Sequence, residues 1–158
     1  MIVEEIMKTV PFQLYLLMFE PQSKALMSFA IGTGAGFSVY ENCCYILTEG
    51  AESITYIMIR GMAVGVMHIV SIVTFTLGII IIRSHVKISI AGMLGALALS
   101  MTFHGLYNLL VSEPGINTII GYIMPMLGAC LLWIAYRRWN ENQIITKKRK
   151  NSNENIKK

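Results

Sequence analysis

Apolar residues run along this chain in long blocks separated by short polar breaks, rather than alternating or forming narrow stripes. Five blocks can be drawn. The first runs from about Ile2 to Phe19, with Pro11 inside it and Pro21 ending it. The second is Ala25 to Leu47, the third Ile54 to Ile82, and the fourth Ile88 to Val111, closed by Ser112, Glu113, Pro114 and Gly115. The fifth runs from Ile116 to about Trp139. Blocks of roughly 20 residues are what a helix needs to cross a bilayer. Continuous runs are unlike the alternating pattern of a membrane barrel strand. The pattern predicts an all-α fold: a polytopic transmembrane helical bundle with about five membrane-spanning helices. Short connections make neighbouring helices antiparallel. One transmembrane domain over 1–140 is expected, followed by a tail, 141–158, rich in Asn, Lys and Ser and expected to be disordered. No internal repeat is visible.

Composition agrees with this reading. Of 158 residues, 54% are hydrophobic and 14% charged, a balance unusual for a soluble domain. The formal charge of +4 is concentrated, since eight of the thirteen Lys and Arg follow Tyr136. In a membrane protein such a tail is a topology signal, and no nucleic-acid partner is expected. Lys24, the pair Arg83 and Lys87, and the tail fall on one side of a five-span bundle. Glu49, Glu52 and Glu113 fall on the other. The excess of Lys and Arg places the C-terminus in the cytoplasm and the N-terminus outside, in a multi-pass protein of the cell membrane. Trp133, Tyr136 and Trp139 fit an aromatic belt at the inner face. Cys43, Cys44 and Cys130 make neither a CxxC nor an even framework. The chain opens with Glu4 and Glu5 rather than a basic stretch, so no cleavable signal peptide is expected.

Several residues do not belong in lipid. Glu41 and Asn42 sit within the second block, in the stretch GTGAGFSVYENCCY from Gly32 to Tyr45. A carboxylate at that depth costs roughly 2.5–3.5 kcal/mol even on lenient scales, so its default reading is functional. With it go Glu4, Glu5 and Lys8 in the first block, Arg60 and His68 in the third, and His104 and Asn108 in the fourth. At 1.5 Å per residue, Glu41 lies roughly 10 Å and His104 roughly 12 Å from the outer ends of their helices. Glu4 and Glu5 start the first helix on that same side, so most of the set falls in one leaflet. His104 and Asn108 are four apart and share a face, as are Glu4 and Lys8, which can pair. Each residue also has a plainer role. Glu4, Glu5 and Lys8 are a solvated helix start, Arg60 a snorkelling side chain, His68 a core histidine, and His104 with Asn108 an interhelical clamp. His85 is given no role, and Phe37, Tyr40, Tyr45 and the eleven Met are read as packing. The functional reading rests on the set as a whole.

These residues also form motifs. EEIMK supplies Glu4, Glu5 and Lys8; FSVYEN supplies Phe37, Glu41 and Asn42; Arg60 is followed eight residues later by His68; HGLYN supplies His104 and Asn108. In that order the chain resembles the PrsW family of intramembrane proteases, within the superfamily of CAAX-prenyl proteases and bacteriocin-processing relatives. The likeness covers Glu4 to Asn108. Members of the family usually carry further membrane helices before the first motif, and this chain begins almost on it.

The resemblance implies an endopeptidase that cuts a membrane-tethered, single-span protein, for example an anti-sigma factor, near the outer face. On that basis Glu4 or Glu5 is expected as general base, with His68, His104 and Asn108 orienting water or donating to the oxyanion. Arg60 is expected to neutralise Glu41. Two versions stay open: one without any cofactor, and one with zinc on Glu41, His68 and His104. The alternative from another class is a non-catalytic membrane scaffold or interaction subunit of the same fold. A proton-coupled carrier is a third reading, disfavoured because inverted repeats and paired broken helices are lacking.

Overall fold

The computed structural model describes residues 2–50, 53–83 and 89–156. They form five helices: α1 (Ile2–Phe19), α2 (Ser23–Glu49), α3 (Ile54–Ile82), α4 (Ser89–Ser112) and α5 (Ile116–Ile156). There is no strand among the described residues. The all-helical bundle and the five expected elements are therefore present, with ends within two residues of the sequence reading for α1 to α4. Helix α5 differs: it runs to Ile156 rather than stopping near Trp139, and the tail expected to be disordered is helical to that point. No Gly or Pro follows Gly128, so nothing in the chain forces the helix to end. His85, Lys87 and Glu52 lie outside the described residues.

Local chemistry sets the breaks. Ser53 caps α3 by accepting the Tyr56 N–H at 3.1 Å, the usual service of a Ser at that position. Helix α2 ends on Gly50, whose φ of 79° lies in the left-handed region and whose N–H bonds to the Ile46 carbonyl, a conformation that favours glycine. Gly115, with φ of 90°, makes the corresponding turn between α4 and α5. At the opposite end, Arg83 donates to the Pro21 carbonyl at 2.8 Å, tying the end of α3 to the α1–α2 break.

Helix α3 is the axis of the bundle, packing on all four others. Three helices are long and apolar enough to cross a membrane: α3, the stretch Ile90–Ser112 of α4, and Ile116–Thr146 of α5. Helices α1 and α2 fall outside that group, and they are the two that carry Glu4, Glu5, Lys8 and Glu41. Large apolar side chains such as Leu17, Leu47, Ile90, Leu94 and Leu131 point outward, as lipid-facing positions do. Inside, one apolar cluster holds Phe12, Leu26, Ala30, Ile72, Phe75 and Ile79. A second holds Ala63, Val64, Met67 and Tyr107. Between them along α1, α3 and α4 lie Glu5 and Lys8, His68 and Ser71, and Ser100 and His104, all buried. A polar layer is thus sandwiched between two apolar ones.

Candidate active site

At the centre of that layer is Glu5, which has no exposed surface. Its Oε1 accepts from Lys8 Nζ and from His104 Nδ1 at 2.5 Å. Its Oε2 accepts from the hydroxyls of Ser71 at 2.5 Å and Ser100 at 2.7 Å. An ionised carboxyl group has about four acceptor positions, and all of them are occupied. Lys8 also donates to His68 Nδ1 at 3.0 Å. An ammonium has only donors, so Nδ1 is the acceptor, and His68 presents Nε2–H to Glu41 Oε2. Phe37 closes over this contact, with its ring edge-on to His68 at 5.2 Å and 5.5 Å from Lys8 Nζ. The two imidazoles are perpendicular, 5.1 Å apart. Beyond His104, Nε2 lies 3.5 Å from Glu4 Oε2. One continuous polar chain therefore runs Glu41–His68–Lys8–Glu5–His104–Glu4 through four helices.

The ends of that chain differ from its middle. Glu5, Lys8, His68 and His104 are buried, whereas Glu41 is 30% and Glu4 36% exposed at the side chain. Glu41 lines a cleft of about 370 Å³ with Arg60, Tyr107 and Asn108. The cleft opens at the end of the bundle where α3 begins and α4 stops, with Tyr56 and Ser112 on its wall. Arg60 Nη2 stands 3.7 Å from Glu41 Oε1, and its guanidinium lies 3.6 Å from the centroid of Tyr45. The contact between Arg60 and Glu41, which are expected from sequence to pair, is long, and His68 is the closer partner of Glu41.

The set named from sequence is brought together, with changes inside it. Lys8 goes to Glu5, three residues away, and not to Glu4, because Glu5 and Lys8 face the bundle interior while Glu4 is turned toward its edge. Asn42 donates to the Ser38 carbonyl of its own helix at 2.9 Å, away from the Glu5 cluster. Asn108 lies in the cleft with Glu41. Ser71 and Ser100 were missed. Their signal was present: Ser71 is three residues after His68 and Ser100 four before His104, one turn away on the same face.

Glu5, His68 and His104 each offer one donor atom within 4.8 Å of the others. The zinc set expected from sequence placed Glu41 with the two histidines; here Glu5 takes that place, because α1 enters the middle of the bundle. Two imidazoles and a carboxylate suit a catalytic zinc with an open position, and a divalent ion on them would supply Lewis-acid polarisation and an acidified water. Lys8, however, already bonds Glu5 and His68 Nδ1. An ammonium and a metal ion cannot share those donors, so the set as arranged does not fit an ion.

A family model described as PrsW family intramembrane metalloprotease matches residues 2–136. Comparison with curated proteins and with solved structures found no match.

Proposed function

The chain belongs to the PrsW family of intramembrane metalloproteases, and from that membership we propose that it is an endopeptidase cutting a single-span membrane protein near the outer face of the cell membrane, with Glu41 as general base. One observation carries this reading: Glu41 is exposed to a polar cleft on one side and held from behind by a buried chain of charged and imidazole groups. Of the two bases expected from sequence, Glu4 or Glu5, Glu5 has every acceptor position filled and no exposed surface, so it is a positioning residue, and Glu4, though partly exposed, does not line the cleft that Glu41 lines.

In the proposed reaction, Glu41 takes a proton from a water in the cleft as the water oxygen bonds to the scissile carbonyl carbon. The Asn108 amide donates to the oxyanion that forms. When the carbon–nitrogen bond breaks, the proton held on Glu41 passes to the leaving amine. His68 donates Nε2–H to Glu41 and fixes its aim; Lys8 fixes the tautomer of His68, and Glu5 with Ser71, Ser100 and His104 fixes Lys8. Lys8 is thus the resident cation of the site, in the space a metal would need. No step then passes through a metal.

The test is purified protein in liposomes with a synthetic single-span substrate, with and without a tight zinc chelator, and product termini read by mass spectrometry. Cleavage in the outer leaflet that survives chelation is expected. Cleavage abolished by the chelator and restored by zinc overturns the Lys8 assignment. Absence of any cleavage by folded protein favours the scaffold alternative.

A further inference from the structure

Two donors at the cleft are left over. Arg60 has its guanidinium against Tyr45 and one terminal nitrogen toward Glu41, while its Nε–H is buried with no partner. Tyr107 is 2% exposed and its hydroxyl is likewise buried and unpartnered. Among the described residues these are the two buried side-chain polar atoms without a partner, and both side chains line the same cleft. A buried donor without an acceptor destabilises a fold, so two retained at one wall point to an acceptor supplied from outside.

The charge of the cleft narrows what that acceptor is. Glu41 already sets one negative charge against Arg60, and an anionic ligand would have to approach Glu41 as well. A neutral carbonyl oxygen meets both donors without that repulsion. In a membrane, carbonyls of an intact helix are bonded within the helix; only an unwound segment offers a free one.

We infer that Arg60 and Tyr107 form a subsite for a peptide carbonyl oxygen beside the bond to be cut. It takes an extended stretch of the substrate and selects spanning segments that unwind at that level. The inference rests on the endopeptidase reading.

The test uses full-length protein in nanodiscs carrying Glu41→Gln, so that the probe is bound without being cut. The probe is a dye-labelled, end-blocked peptide of repeated Leu-Ala-Gly, read by fluorescence anisotropy. Tyr107→Phe is expected to weaken binding about three- to tenfold, as loss of one hydrogen bond does. Its melting temperature is expected to stay level or rise, because the lost hydroxyl has no partner in the protein. Arg60→Lys, which keeps the charge and removes Nε–H, is expected to weaken binding similarly. Replacing a probe amide with an ester, a poorer acceptor, should weaken binding to the parent but not to Tyr107→Phe. Unchanged affinity in both variants overturns the subsite, as does displacement of the probe by short-chain phosphatidylglycerol, which would make it a headgroup site. If Glu41→Gln still cuts substrate while Tyr107→Phe weakens binding, the catalytic assignment fails and the subsite stands.

Discussion

At the scale of single residues, the legible part of the site was whatever is expensive in lipid. Glu41, His68 and His104 announce themselves because a polar or charged group at helix depth needs a reason. The roles within the set were not legible, because they depend on which way each helix is turned. Glu4 and Glu5 are adjacent and chemically identical, yet about 100° of helical rotation makes one a buried hub and the other a rim residue. Ser71 and Ser100 carried only the weak signal of one-turn spacing from His68 and His104, because a hydroxyl inside a membrane helix is cheap and ordinarily bonds its own backbone. Lys8 carries the clearest consequence. Removing one partner of a buried ion pair leaves the other uncompensated, at about 3–5 kcal/mol. Lys8→Met is therefore expected to lower thermal stability in detergent sharply, and the double variant Glu5→Gln with Lys8→Met to recover much of it. A double variant whose loss equals the sum of the separate Lys8→Met and Glu5→Gln losses would show that the two groups are not coupled.

At the scale of elements, the boundaries of α1 to α4 followed from composition, since Pro21, Gly50 and Pro114–Gly115 end apolar runs in an obvious way. The length of α5 did not, because a polar tail has no apolar pattern to read and helix can continue through it. Contact between helices was only partly legible. Glycines in a membrane helix allow close packing in general, and among those of α2 the structure singles out Gly34. A Cβ there would stand 2.8 Å from the Ile69 Cα of α3, whereas at Gly36 it would meet nothing within 4 Å. Gly34→Ala is expected to cost about 1–3 kcal/mol through forced separation of α2 and α3, and to reduce activity by shifting Glu41 from His68. Gly36→Ala is expected to be neutral or mildly stabilising, since Ala is the better helix former. Melting curves of the two variants decide this; equal effects would contradict the packing described here.

At the scale of the whole molecule, a polar layer lies between two apolar ones inside a lipid-facing shell, and its outlet is at the end of the bundle that carries Gly50 and Glu113. The distribution of Lys and Arg predicts that this end faces outside. In a variant with Cys43, Cys44 and Cys130 replaced, Glu113→Cys is expected to react with a membrane-impermeant maleimide in intact cells and Lys24→Cys only after lysis. The reverse pattern would put the cleft on the cytoplasmic side. In the proposed reaction, the buried chain of charges serves Glu41. The most direct measurement is the rate at which reconstituted Glu41→Gln cuts a single-span substrate, compared with the unaltered protein at matched thermal stability. A loss of about 10²–10⁴-fold, the range for removal of a general base, is the predicted result; a rate within a few-fold of the unaltered protein would contradict it.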